Sequence, residues 1–122
     1  LYFLRKNGFN NIEWGPNVRN DDLNYRWVNV NGTKYSIGSY VSVFENDYCM
    51  PEFGKILKIH NDNNTVSFHL VKYITNGYED HFQAYEIDMS SETSIILSVE
   101  NVSNPLIMCH INNKNFVSNT NI

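Results

Sequence analysis

The chain has 122 residues and a formal net charge of −4, from 9 Lys and Arg against 13 Asp and Glu. This length fits a single domain of about 100 to 200 residues, and it suffices for a core that needs no metal or disulfide. The acidic residues are spread along the chain, which argues against a non-specific grip on nucleic acid, and no apolar run reaches the ~18 residues of a membrane helix. The chain does not begin with Met, and we expect it to be part of a longer protein.

Residues 1–24 are predicted to precede the main domain as a short helix and a wrapping loop. Residues 1–9 have the spacing of one or two helical turns that end at Gly8. Residues 10–24 are rich in Asn and Asp, which predicts a loop, and Trp14 is its expected anchor on the domain.

Residues 25–111 are predicted to form a small β-barrel. Apolar and polar residues alternate there, which places each apolar set on one face of an extended strand. Turn residues recur every eight to twelve positions, and Asn31-Gly32 has the composition of a tight hairpin turn. We therefore predict an all-β, SH3-like barrel with strands over residues 25–30, 34–37, 40–44, 53–60, 65–74, 81–87, 95–99 and 106–111.

The alternation also predicts the residues of the core. Leu57 interrupts the alternation of its strand, which indicates burial on both faces or a β-bulge. The predicted core residues are Val41, Val43, Ile56, Ile59, Val66, Phe68 and Leu70.

Polar segments between and after the strands are predicted to be loops. Residues 45–51 and 75–80 are the two main loops, residues 61–64 form a turn, and residues 90–93 interrupt the chain. From residue 112 to 122 the composition is polar and rich in Asn, so we expect a frayed tail.

The sequence offers little for catalysis or metal binding. The histidines and cysteines lack the spacing of zinc ligands, and there is no Gly-x-Ser-x-Gly elbow and no phosphate-binding glycine loop. We expect no enzyme activity, no metal and no cofactor; a small hydrolase or nuclease is the less favoured alternative. Cys49 and Cys109 allow at most one disulfide, and a reduced intracellular protein is the simpler interpretation.

Aromatic residues cluster beside the two main predicted loops. Such rings could form a cage for a methylated ammonium through cation–π attraction, with acidic neighbours as countercharge. The same rings could instead fill the core of a small barrel. The candidate ligand- or peptide-binding residues are Tyr48, Phe53, Tyr73, Tyr78, Glu79, Asp80 and Phe82.

Three sequence elements follow one another in the order of a known module. They are Tyr35-Ser-Ile-Gly-Ser-Tyr-Val-Ser-Val43, then Gly54-Lys-Ile-Leu-Lys-Ile59, then the strand from Val66 to Tyr73. Two further elements, Tyr85-Glu-Ile-Asp-Met-Ser90 and the closing Leu106-Ile-Met-Cys-His-Ile111, follow them. In this order residues 28–111 resemble a bromo-adjacent homology (BAH) domain, a β-barrel module of chromatin proteins. Ser39 replaces the Asp that is common in that family, and Asn104-Pro105 replaces its final Gly.

The resemblance implies a non-enzymatic binding module in a larger nuclear protein, with a chromatin partner or a histone-type peptide as ligand. A second resemblance gives the alternative. Pro51-Glu-Phe-Gly-Lys55 and His81-Phe-Gln-Ala-Tyr85 are similar to a segment of transposon-associated metazoan proteins. This implies a scaffolding or interaction domain without a histone ligand.

Overall fold

The computed structural model describes residues 11–43 and 51–118, and 72% of it is β-strand. The prediction of an all-β fold is confirmed, whereas the predicted N-terminal helix lies outside the described residues. A single turn of 3-10 helix covers Val99–Asn101 in the described part. The strands are β1 (Ile12–Trp14), β2 (Asn17–Val18), β3 (Asp21–Tyr25), β4 (Trp27–Val30), β5 (Thr33–Ser36), β6 (Tyr40–Val43), β7 (Glu52–Asp62), β8 (Thr65–Glu79), β9 (Ala84–Ser98), β10 (Met108–Ile111) and β11 (Lys114–Val117).

The largest element is an antiparallel sheet of six strands in the order β10-β11-β9-β8-β7-β6. Its edge strand β6 is bridged to the segment that leads into β10, at Tyr40–Leu106 and at Val43–Val102. The Leu106 N–H donates to the Tyr40 carbonyl at 2.7 Å. The sheet therefore curls into a half-barrel, and residues 102–106 join its two edges.

Two small sheets complete the described fold, one in the order β1-β4-β5 and one of β2 and β3. Strand β6 pairs with β7 only from Glu52 to Lys55, so the rest of that side of β7 needs other partners. The Gly38 N–H donates to the Ile56 carbonyl at 2.8 Å, and the Ile59 N–H donates to Asn24 Oδ1 at 3.0 Å. Polar groups from the N-terminal third thus complete the hydrogen bonding of β7.

Asparagine forms the tight turns of this fold. The pairs Asn31-Gly32, Asn63-Asn64 and Asn112-Asn113 all have positive φ, between 52° and 91°. Two-residue hairpin turns of the mirror-image type require positive φ at both positions, and Asn and Gly accept it at the lowest cost. The first two turns confirm the prediction, and the third joins β10 to β11 inside the expected tail.

Two hydrophobic clusters lie on opposite faces of the large sheet. Strand β8 contributes Phe68 and Leu70 to the first and Val71 and Tyr73 to the second, as its alternation requires. The small sheet β1-β4-β5 packs on the first cluster. All seven predicted core residues are buried: Val41, Val43, Ile56, Ile59, Val66, Phe68 and Leu70.

Several predicted boundaries are wrong. Residues 10–24 contain three short strands instead of a loop, and residues 90–93 continue β9 instead of interrupting it. Most of the predicted loop 75–80 is strand β8, which extends to Glu79. The expected polar tail contains β11, whose Val117 is fully buried. Leu57 is the extra residue of a β-bulge opposite β8, which is one of the two structures predicted for it.

Candidate functional site

The seven predicted binding residues lie in three different environments. Tyr48 is outside the described residues. Phe53 and Tyr73 are buried in the second cluster, with exposed fractions of 0% and 4%, so these rings fill the core. The remaining four lie where β8 turns into β9, and we call residues 77–86 the hairpin end: Tyr78, Glu79, Asp80 and Phe82.

One face of the hairpin end carries a row of stacked rings. Tyr78 lies directly opposite Tyr85 across the two strands, and their ring centroids are 4.9 Å apart in an edge-to-face arrangement. The Tyr85 ring in turn lies 5.5 Å from that of buried Phe53. The exposed ring of Tyr78 is therefore the outer end of a row that reaches into the core.

The opposite face carries a second aromatic pair. Gly77 pairs with Glu86, and Glu86 pairs with Phe116 of β11, so alternation places these residues away from Tyr78. The Phe82 ring folds back from the turn and contacts the Phe116 ring, with centroids 5.2 Å apart. We call this the Phe82 face. Tyr78 and Phe82 thus lie on opposite faces and do not form a common cage.

Two carboxylates belong to the Phe82 face. Glu79 belongs to this face by alternation, and its carboxylate accepts a hydrogen bond from the His81 N–H at 3.2 Å. Glu86 accepts one from the Asn76 side chain at 3.3 Å and lies 3.9 Å from the Lys114 amine. The half-exposed Phe82 ring and two carboxylates therefore border one surface.

The charge of the surrounding chain is one-sided. Between Lys72 and Lys114 there is no Lys or Arg in the sequence. The same stretch contains six carboxylates: Glu79, Asp80, Glu86, Asp88, Glu92 and Glu100. A field of this sign favours a cationic ligand and disfavours an anionic one.

No family model and no curated protein sequence matches this chain.

A second candidate is a cleft of about 290 Å³ beside the start of β7. It opens at a register shift between β8 and β9. Between the pairs Tyr73–Glu92 and Ile74–Asp88, three residues of β9 have no partner on β8. The Thr75 hydroxyl donates to the Pro51 carbonyl at 2.6 Å across it. The cleft is lined by Pro51, Glu52, Lys72, Tyr73, Ile74, Thr75 and Thr93.

The cleft contains one positive and one negative side chain that lie close together. Lys72 Nζ lies 3.4 Å from Glu52 Oε1, which is buried and receives no hydrogen bond from any described group. The amine offsets the negative charge of Glu52 even without good hydrogen-bond geometry. The cleft therefore presents little net charge to a ligand. On the Phe82 face Lys114 offsets Glu86 in the same way, which leaves Glu79 as the second carboxylate there.

A third hollow, of about 310 Å³, is lined mainly by polar side chains near the Asn63-Asn64 turn. Leu23 is its most exposed apolar residue, at 74%. The Asn61 side chain there accepts a hydrogen bond from the Asn64 N–H, so it serves the turn itself. This hollow has no group that singles out a ligand.

The described residues give no sign of a metal centre. Within residues 11–43 and 51–118, no three His, Cys, Asp or Glu side chains group closely enough to hold an ion. The Cys109 side chain is exposed. The described part of the chain also contains no helix with the length and apolar character to cross a membrane.

Sequence reasoning missed the residues that complete the Phe82 face. Glu86 sits in a predicted strand and was not singled out, and Phe116 lies in the segment predicted to fray. The available signal was Asn112-Asn113, the same turn pair as Asn63-Asn64, followed after two intervening residues by the apolar pair Phe116-Val117.

Two tyrosine hydroxyls, one buried at Tyr73 and one partly buried at Tyr40, make the stability of the fold depend on pH in the alkaline range. Burial raises the pKa of Tyr40 and of Tyr73 above the ordinary value of 10.0, and the charges of Tyr40 and Glu92 raise that of Tyr73 further. Above pH 10.0 the unfolded chain loses these protons while the folded chain keeps them. Stability, complete below that pH, should therefore fall as the pH rises through the raised pKa values.

The double variant Tyr40→Phe and Tyr73→Phe should show a flatter loss of stability in urea unfolding above about pH 10. The same variants at neutral pH are the control for lost hydroxyl contacts. An unchanged alkaline slope would mean that other groups cause the loss.

Proposed function

We propose that this domain is a non-enzymatic binding module, and that the Phe82 face holds a cationic side chain from a segment of a protein partner. The observation that carries the proposal is the half-exposed Phe82 ring on the same face as the Glu79 and Glu86 carboxylates, of which Lys114 offsets only Glu86 at 3.9 Å. A Lys or Arg side chain, methylated or not, is the group that both a ring face and carboxylates attract.

The geometry of the ring supports this assignment. Its contact with Phe116 fixes the Phe82 side chain, while 40% of the residue remains exposed. A fixed ring loses little conformational freedom when it binds, so more of the cation–π attraction remains as affinity. One such contact contributes roughly 0.5 to 2 kcal/mol, which is about 2- to 30-fold in affinity.

The resemblance to BAH domains suggests the kind of partner and the kind of protein to which the domain belongs. The partner would be a chromatin protein or a histone-type peptide, and the domain would belong to a larger nuclear protein. The alternative is a scaffolding domain of a transposon-derived protein, whose partner carries no histone sequence. Both alternatives use the same surface of the domain, so they differ in the sequence of the peptide that binds there.

A peptide array of lysine-rich segments, with and without trimethylation, tests the proposal. The informative variant is Phe82→Leu, because Leu keeps an apolar cover over Phe116 but removes the ring face. We expect this variant to stay folded and to bind about 2- to 30-fold more weakly.

The matched control is Tyr78→Leu, which removes an equally exposed ring from the opposite face. It should leave the affinity within about twofold of the original protein. Equal weakening by both changes, or binding that survives Phe82→Leu combined with Glu79→Gln, would remove the Phe82 face as the site. Preference for lysine peptides unrelated to histones would favour the scaffolding alternative.

A further inference from the structure

Most of one side of strand β9 forms no strand pairing with any described residue. Strand β8 pairs with it as far as Ser98, whereas β11 pairs with its other side only at residues 85–87. From Glu92 to Ser98 the backbone N–H and C=O groups of that second side lack a strand partner among residues 11–43 and 51–118. We call this side, residues 92–98, the β9 edge.

The β9 edge lacks the features by which proteins protect such edges. Residues 93–98, Thr-Ser-Ile-Ile-Leu-Ser, include no charged residue, no Pro and no Gly. Edge strands are usually protected by Lys, by Pro, by a bulge or by a covering element. Ile96 is 67% exposed here, while Ile95 and Leu97 pack on the first cluster and hold the strand in place. The edge is therefore packed on the core through one face, uncharged along its centre, and open to strand pairing as far as the described residues show.

The charges around the edge select the class of partner. Glu92 and Glu100 stand at its two ends, and no Lys or Arg occurs between residues 72 and 114. If two copies paired antiparallel with Ile96 opposite Ile96, Glu92 of each would approach the 3-10 turn of the other, which follows the strand and carries Glu100. Like charges brought close together are destabilising, so self-pairing in this register is disfavoured. A strand with basic ends would instead place opposite charges together.

We propose that the β9 edge takes up an extended segment of a protein partner as an additional antiparallel strand, with apolar or β-branched residues in its centre and Lys or Arg at both ends. The inference rests on the proposed function and deepens it. Backbone hydrogen bonds to residues 92–98 would supply affinity. Glu92 and Glu100, at the two ends of the edge, would select a segment with basic residues. The Phe82 face would then bind a further basic side chain of the same partner.

The probe for this proposal is the peptide Lys-Arg-Val-Thr-Val-Thr-Val-Arg-Lys, with a second peptide in which Glu replaces every Lys and Arg. The readout is NMR of the full chain, followed by amide hydrogen exchange. We expect the basic peptide to shift the resonances of residues 92–98 and to slow their exchange at least tenfold. The acidic peptide should have no effect.

Backbone methylation separates strand addition from side-chain docking. One set of peptides carries N-methyl groups at odd positions and the other at even positions, because the N–H groups of a strand point alternately to its two sides. Strand addition requires one set to lose binding and the other to retain it. Equal binding by both sets would overturn the proposal.

Protein variants provide the matched test. Ile96→Lys places a charge on the β9 edge and should weaken the basic peptide at least tenfold. Ile107→Lys makes the same change at an equally exposed isoleucine, 71% against 67%, and should have no effect. Both sites are exposed, so both variants should fold, which unfolding curves would verify.

The failures of the two proposals are distinguishable. Shifts at the hairpin end without shifts at residues 92–98 would overturn strand addition and leave the proposed function standing. Shifts at neither place would count against both. Slow exchange, in the protein alone, of those N–H groups of residues 92–98 that point away from β8 would show that the chain itself or a second copy already covers the edge, and would overturn the proposal.

Discussion

Replacing Phe68 with Ala should lower the free energy of unfolding by about 3 to 5 kcal/mol. The Phe68 side chain is completely buried in the centre of β8, and its ring centroid lies 5.1 Å from that of Tyr35. Its strand neighbours are Ile59 on β7 and Leu97 on β9, so the change would leave a cavity bordered by three strands and the small sheet. Such a cavity cannot collapse without moving the sheet.

Urea unfolding followed by tryptophan fluorescence measures this loss. The control is Ile96→Ala on β9, where 67% of the residue is already exposed and a change of at most about 0.5 kcal/mol is expected. If Phe68→Ala were as stable as the control, the first cluster could not be the main core of the domain.

The core residues of β8 were predictable because they alternate without interruption. In the central part of β8, Val66, Phe68 and Leu70 face one cluster, and the polar residues between them face outward. Burial on one side of a strand leaves that period in the sequence. The same reasoning found the turns, because few residues other than Asn and Gly accept positive φ at low cost.

The ends of the long strands were not predictable in this way. Residues 75–79 continue β8 but are mostly polar, and residues 90–93 continue β9 with Ser, Glu and Thr. At these places the strands run beyond or beside the clusters, so solvent reaches them and the apolar period disappears. A polar strand of this kind cannot be told from a loop by composition.

The arrangement of the site could not be predicted from the sequence for a different reason. Register shifts occur at two places in the β8–β9 pair, one near Asn76 and one at residues 89–91. Each shift changes which face the following residues occupy. The sequence therefore predicts that the rings of Tyr78 and Phe82 lie on one surface, although the turn and the pairing place them on opposite faces. The acidic character of the region, in contrast, can be counted directly in the sequence.

Residues 10–24 were predicted as a loop because the strands there are short and rich in polar residues. One of those polar residues carries a structural role that composition does not reveal. Asn24 is only 6% exposed, and its side-chain oxygen accepts the hydrogen bond of the Ile59 N–H on β7 at 3.0 Å. Beyond Lys55, where β6 no longer pairs with β7, this contact joins β3 to the large sheet.

Replacing Asn24 with Leu should therefore lower the free energy of unfolding by about 1 to 3 kcal/mol. Leu has a similar size, but it would leave the buried Ile59 N–H without an acceptor, and an unsatisfied buried donor costs about that much. Equilibrium unfolding in urea gives the magnitude, and amide exchange at Ile59 should speed up in the variant.

The matched control is Leu23→Ala on the same strand, where the side chain is 74% exposed and a change of at most about 0.5 kcal/mol is expected. Slow exchange at Ile59 in Asn24→Leu would mean that another group accepts this hydrogen bond. The N-terminal third would then be a cover over the barrel. Loss of both stability and protection would instead make it part of the sheet's hydrogen-bonded structure, joined through the side of β7 that β6 leaves unpaired.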